Sequence, residues 1–565
     1  MKFTKYKYLL LGMVGLLTVS CEKQAFVDVN IDPDVLTEVP PQNQFLNATS
    51  AIHGQDFEAF YDIYRRIMPW MQYTTDLNGN QGAFTQNIDN FSSRYGRLYN
   101  GIGDRLYDIQ KLVEDLPAEE QPRYTNMIRI ARILKAYYAF YVSDIFGAIP
   151  YSDAFQGRYG GTLTPKYDTQ QELFTRLDSE IKEAVATLKA SPTAPQISLG
   201  QYDQYYGGNA QSWVKAGNAL RLKIAMRQLK VNKGPAETII KEVLAMPAAD
   251  LMASNEDGWI FTAFTGFTQG GNWDPTSLRA PKPIVDFMWK TKDPRIDAFF
   301  TPNLFTQQNV DRLIEAGRLP AGTTAPERRY VGSIPNPDEA QRPENVRRFY
   351  TPARLVVAGQ NVLVDTLSFI QPRLFRPSQA ANGTAGNGRN FIPVITYSDF
   401  AFMRAEAAAL GITTESAKAW YDMGVVNSIR WYDAIARGSN FTNYTPVTQA
   451  EIDAYMATPE VAFDASKAID KIASQAYLHF IKQPTEGWAN WKRTGFPNAN
   501  SVVPMPTLTN NGAALNIARR APIGLPNPNN PNYLNQKPAY DAMLALPGFG
   551  KDLQDATGRV WWDRP

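Results

Sequence analysis

The chain has 565 residues, enough for a large buried core, and its 57 Lys plus Arg balance 55 Asp plus Glu. No net positive field draws it to nucleic acid. One cysteine, Cys21, and two histidines, His53 and His479, exclude a Cys or Cys/His zinc cluster, an internal disulfide and a thiol nucleophile. A Ser-His-Asp triad would have to use His53 or His479, and no serine sits in a G-x-S-x-G setting.

Lys2, Lys5 and Lys7 precede an apolar run from Tyr8 to Val19, then Ser20-Cys21. A basic head, a short apolar core and a small residue before the break describe a secretory signal, too short to span a bilayer. The sole cysteine stands where a lipoprotein signal is cut, so residues 1–20 are read as signal peptide and Cys21 as the lipidation site. The rival is an ordinary signal with a coincidental cysteine. Thr18 stands three residues before Cys21, where a lipobox commonly has Leu. Each acyl CH₂ contributes about 0.8 kcal/mol, so several chains on Cys21 anchor firmly. The polar, proline-bearing residues 21–45 then read as a tether.

Helical spacing follows at Phe45–Met68, carried by Phe45, Ala48, Ile52, Phe60, Ile63 and Ile67 and ended by Pro69 and Trp70. Residues 71–94 are polar and rich in Gly and Asn. Leu98, Ile102, Leu106, Ile109 and Val113 mark a helix over Tyr95–Leu116. From Arg123, an apolar stripe of about six turns runs through Met127, Ile130, Leu134, Tyr138, Val142 and Ile145. Gly147 supplies its stop and Pro150 prevents resumption. Further helices are predicted at Gln170–Leu188, at Ser212–Val231 with Ser212 as N-cap, and at Pro235–Met246. Consecutive helices with short or medium connections argue for stacked helical pairs.

The middle changes character. Asn255–Arg279 places Trp259, Phe261, Phe264, Phe267 and Trp273 among Gly, Thr and Asn. Residues 301–397 show few helical patterns, although Arg354–Leu367 alternates as a hairpin strand would. Helices return at Tyr397–Leu410, Glu415–Ile435 and Asp464–Ile481, and Pro497–Pro538 reads as a long Pro/Asn loop. One large, mainly α domain over 46–565, with loop-rich insertions and a little β, fits this order. Its scaffold lies mainly in 46–247 and 397–482, its loop-rich part mainly in 255–396 and 483–565.

Five stretches then point one way: YVSDIFGAIPYSDAF (141–155), KDPRIDAFFTP (292–302), SDFAFMRAEAAALG (398–411), EGWANWKRTGFP (486–497) and ARRAPIGLPNPNNPNYLNQ (518–536). In this order behind a lipidation signal, the chain resembles the SusD/RagB family of outer-membrane nutrient-binding lipoproteins. The resemblance implies tetratricopeptide-like helix pairs supporting a loop-rich ligand-binding half. It implies a lipid-anchored place at a bacterial cell surface and a SusC-like TonB-dependent transporter as partner. It further implies capture of an oligosaccharide or oligopeptide without catalysis and without a cofactor. Arg404, Glu406, Trp488, Trp491, Arg493, Arg519 and Arg520 then read as internal ion pairs and packing, with Glu486 and Arg493 one candidate pair.

The resemblance places ligand contacts on residues 69–91 and 255–280. Sugar rings are held by flat aromatics and planar polar partners. Trp70, Tyr73, Trp259, Phe267 and Trp273 are the candidate platforms, and Asp76, Asn78, Asn80 and Arg279 the candidate polar partners. The competing role for these aromatics is packing loops onto helices. Asp76-x-Asn78-x-Asn80 starts like a calcium loop, but Gln81 replaces its glycine and Asn87 its closing glutamate, so no metal is expected there. Two other classes stay open: a surface glycosidase, with carboxylates about 5–9.5 Å apart across a cleft, and a helical-repeat adaptor that binds only protein.

Overall fold

The computed structural model describes residues 39–77, 79–85, 91, 93–263, 275–349, 353–357, 360–375, 389–439, 441 and 443–564. The signal peptide, Cys21 and most of the tether lie outside the described residues, as do Asn78, Phe267 and Trp273.

The molecule is mainly α. The first predicted helix is two: α1 (Pro41–His53) and α2 (Glu58–Ile67), broken at Gly54–Gln55. The turns of α2 are wide, and the amide after it, Met68 N–H, reaches back five residues to Ile63 O. The next predicted helix is also interrupted. Asn100 and Gly101 leave helical geometry, Gly101 at φ 126°, and regular helix α3 runs over Gly103–Glu114. The long stripe forms α4 (Thr125–Phe146) as predicted. It buries Met127, Ile130, Leu134, Tyr138, Val142 and Ile145, and also Ile133, Ala136, Ala139 and Phe140. Gly147 ends it at φ 79°, a conformation glycine adopts without strain. A complete capping box at Thr169 and Glu172 opens α5 (Gln170–Lys189). In α6 (Ala210–Gln228) the cap is Asn209, whose side chain accepts from Ser212 N–H, and not Ser212 itself. Then α7 covers Lys233–Leu244.

Strand β1 (Trp259–Ala263) follows, then a helix the sequence pattern hid, α8 (Lys282–Thr291). The predicted hairpin is β2 (Ala353–Val357) with β3 (Gln360–Val364), antiparallel. Strand β4 (Asn390–Ile395) returns to pair antiparallel with β1, Ala263 opposite Asn390. Helices α9 (Tyr397–Ala409), α10 (Ala417–Gly438) and α11 (Ala468–His479) form the second helical group. The stretch 486–497 supplies most of an unpredicted helix, α12 (Pro484–Thr494). Inside the predicted Pro/Asn loop begins α13 (Tyr533–Leu544), which carries Pro538 and is held by its buried Tyr540 and Met543.

Neighbouring helices pack in pairs: α4 against α3 and α5, α6 against α5 and α7, α9 against α10 and α11. This is a tetratricopeptide-like arrangement. Contacts between α6 and α9 join the two groups. Most buried apolar residues from Phe45 to Trp562 belong to one core, with small separate clusters at Ile334, Ala340 and Leu367 and at Leu313 and Val364. No helix among the described residues is long and apolar enough to cross a membrane.

Helix α6 explains why its amphipathic pattern is weak. Nearly every residue from Trp213 to Gln228 is buried, including Arg221, Lys223 and Arg227. Each buried cation is paired. Arg221 meets Asp178 (2.8 Å) and Glu242 (3.1 Å), Lys223 meets Asp399 (2.7 Å) and Glu486 (3.3 Å), and Arg227 meets Asp144 (2.9 Å) and Glu486 (2.7 Å). Burial opposes ionisation of Glu486, but Arg227 and Lys223 overcome it and hold its carboxyl down at about 2. Glu486 therefore does not pair with Arg493, which binds Glu406 instead. Arg404 pairs with Glu415 and Arg519 with Asp563, internal ion pairs like the one at Glu406.

Candidate functional site

Three of the predicted platforms are core residues, and this corrects their assignment as open ligand contacts. Trp70 is 2% exposed and its indole N–H donates to Ala83 O at 2.9 Å. Tyr73 is 0% exposed, donates its hydroxyl to Tyr477 O at 2.9 Å and stacks on the Tyr477 ring at 4.6 Å. Gly487 lies so close that a Cβ there would meet the Tyr73 hydroxyl oxygen at 2.2 Å. Trp259, 0% exposed, sits on β1 against Trp213 and Tyr137, each at 5.1 Å. Burying a large apolar ring is worth more than presenting it, about 25 cal/mol for each Å² removed from water. Asn80 is buried too; its amide donates to Pro69 O and Thr74 O, both at 3.0 Å, and locks the turn.

The polar half of the predicted site does come together. Thr75 and Arg279 exchange backbone hydrogen bonds of 2.9 and 3.0 Å, so the loop after α2 lies beside the segment entering α8. The Arg279 guanidinium meets Asp365 at 3.3 Å and covers the Phe369 ring at 4.8 Å. Asp76 is partly exposed. Burial raises its carboxyl above the ordinary range, against the pull of Arg65 and Arg279. Two loops far apart in sequence thus share one charged corner.

A cluster of aromatics starts just before α2 and continues along it, and Arg65 links it to Asp76. Phe57 is 57% exposed and stacks on Tyr61, ring centroids 5.6 Å apart and planes 19° from parallel. Phe60 meets Tyr61 edge-on at 4.9 Å, and Arg65 lies over Phe60 at 5.3 Å. The i, i+4 spacing of Phe57 and Tyr61 puts both rings on one side of the helix. The helical pattern had assigned Phe60 to the core. The break at Gly54 resets the phase, so the stripe of α1 does not continue into α2. The signal that marks this face is the cluster Phe57, Phe60, Tyr61 and Tyr64 just after a glycine.

The same helix lines a cavity of about 140 Å³ through Glu58, Ala59, Ile63 and Tyr64. Its other walls come from α4, α6, β4 and the start of α12. Glu58 pairs with Arg94 at 3.2 Å and accepts from the Tyr141 hydroxyl at 2.5 Å, while Arg94 lies over the Tyr141 ring at 4.0 Å. Nearby on α2, burial and the negative Glu58 push the Asp62 carboxyl up to about 8, so it is neutral at pH 7. At the cavity rim Lys482 donates to Leu374 O and Asn390 Oδ1, both at 2.7 Å, and burial lowers its ammonium to about 7. Ala263, the last residue of β1, lies opposite the cavity-lining Asn390.

The two histidines serve the core. His53 stacks on Phe261 at 4.4 Å and shares a 2.7 Å hydrogen bond with the Tyr205 hydroxyl; His479 bonds the hydroxyls of Thr396 (2.7 Å) and Ser428 (2.9 Å). Burial lowers both to about 3. Among the described residues no group of three or more His, Cys, Asp or Glu is arranged to hold a metal ion.

Comparison with known proteins agrees with this architecture. The profile of the SusD-like family described as "Starch-binding associating with outer membrane" matches residues 33–342 and 361–520. Among solved structures, one described as a chitin-binding protein is 23% identical, with a TM-score of 0.67, covering 93% of this chain and 100% of its own. A Bacteroidetes SusD-like protein is 21% identical with a TM-score of 0.65, covering 93% and 100%. A SusD homologue from Bacteroides fragilis is 19% identical with a TM-score of 0.65, covering 92% and 99%. A search of curated protein sequences returned no match. The chain belongs to the SusD-like family, a family of outer-membrane-associated, carbohydrate-binding proteins.

Proposed function

From that membership we propose that the protein is a cell-surface lipoprotein that captures a glycan and passes it to a SusC-like TonB-dependent transporter, without catalysis. Residues 1–20 are its signal, Cys21 carries the lipid, and the stretch that ends where α1 begins at Pro41 is the tether of a single binding domain, shorter than the 21–45 expected because Phe45 is buried in the core. The observation that carries the reading is the Phe57–Tyr61 stack, open at Phe57, which Phe60 and Arg65 link to Asp76. Flat rings cover the apolar C–H face of a sugar, and the carboxylate and guanidinium groups bind its hydroxyls. Phe267 and Trp273 are proposed to extend that platform, and Asn78 its polar edge.

The test is binding of the purified full chain, in detergent micelles, to soluble starch, chitin oligosaccharides, xylan, pectin and a casein digest. Saturable binding to one polysaccharide, weakened about tenfold by Phe57→Ala or Tyr61→Ala, is expected. Binding to the peptide digest alone would move the reading to oligopeptide capture, and release of shortened sugars would make the protein an enzyme. The anchor is tested separately. Cys21→Ala is expected to leave the outer-membrane fraction, and normal fractionation of that variant would refute lipidation.

A further inference from the structure

The cavity behind α2 is not needed for a surface platform, and its chemistry is specific. On the measure that gives it about 140 Å³, one water needs about 10–15 Å³. It therefore has room for a single sugar ring. Its floor is closed by buried Asp144, Lys223, Arg227 and Trp488, while Gln55, Tyr64, Ile392 and Thr485 at its mouth are partly exposed. With one side of the lining buried and room for one ring, such a pocket suits the end of a polymer.

Three of the lining side chains, each more than nine-tenths buried, carry a polar atom with no hydrogen-bond partner among the described residues. These are the Tyr138 hydroxyl, Arg94 Nε and Asp144 Oδ1. One is a donor, one an acceptor and one both. Leaving such groups buried and unpaired is costly. An anion would satisfy only the donors and a cation only the acceptors. Hydroxyl groups, which donate and accept, satisfy all three. Tyr137 and Tyr141, with ring centroids 6.1 Å apart, supply an apolar wall for the ring's C–H face.

We propose that this cavity is a second, end-selective subsite that takes one neutral sugar ring at the terminus of the captured glycan. The proposal rests on the glycan reading above and adds a preference for chain ends. It is tested with whichever panel polysaccharide binds, offered to the full chain intact and after partial acid hydrolysis, at equal mass. The expected result is affinity that rises with the number of ends, so a hydrolysate with ten times the ends binds about tenfold tighter by mass. Tyr138→Phe, which removes only the hydroxyl, is expected to weaken hydrolysate binding about fivefold. Thr485→Trp, which narrows the mouth, is expected to abolish the dependence on ends while binding to the intact polymer persists through Phe57 and Tyr61. If the Thr485 variant does not fold, Tyr138→Phe decides. Equal affinity by mass, unchanged by Tyr138→Phe, would overturn the end subsite and leave glycan capture standing. No binding to any glycan would overturn both.

Discussion

In the core, Trp70 and Tyr73 direct their polar atoms to backbone carbonyls, and with Trp259 they pack against other aromatic side chains. On α2, Phe57, Phe60 and Tyr61 meet mainly one another and an arginine, and Phe57 is more than half exposed. Both clusters follow the same kind of sequence, aromatics scattered among small and polar residues. What separates them is whether a helix lies over the ring. Aromatic content therefore identifies candidates for recognition, and only the neighbours decide which candidates recognise anything.

The sharpest way to break this comparison is to exchange the expected phenotypes. Trp259→Ala should cost about 3–5 kcal/mol of stability in urea unfolding and leave glycan affinity intact in whatever remains folded. Phe57→Ala should shift stability by less than about 0.5 kcal/mol while affinity falls. A Trp259 variant that keeps its stability and loses binding would return that residue to the site. Arg227→Met leaves Asp144 and Glu486 buried without their shared partner, and should also cost about 3–5 kcal/mol.

A smaller effect appears with pH. His479 is neutral in the folded chain down to about 3, whereas the unfolded chain protonates it below about 6.5. The unfolded state then binds the extra proton, so this group's contribution to stability falls as pH falls from 6.5 toward 3. Between pH 7.5 and pH 5 it removes about 2 kcal/mol, and His479→Gln should lose that much less than the parent over the same interval. Equal losses in parent and variant would show that His479 does not set the slope. The smallest expected effect is that of Tyr73→Phe, about 1 kcal/mol for one buried hydrogen bond, with binding unchanged.

Much of the scaffold was legible because helical burial leaves a periodic trace. Helices α4 and α5 were readable from their apolar spacing, α4 also from its end signal Gly147, and the hairpin β2–β3 from its alternation. The family motifs made the fold class legible as well. The Glu486 partnership was not, because Arg227 lies 259 residues away in the chain and no local pattern joins them. Helix α6 was legible as a helix, but its burial on nearly every side was not, because that depends on the helices packed around it.

The sequence alone determined the class of protein, the place of its most regular helices and the chemistry it lacks, since these depend on composition and on spacing within one turn or one motif. Only the tertiary structure decided which aromatics stand open, that Thr75 and Arg279 join two distant loops, and that polar atoms of α4 and Arg94 close on one cavity. Those outcomes depend on what lies across the fold from each residue. A side chain's exposure and unmet hydrogen bonds belong to its neighbours as much as to itself.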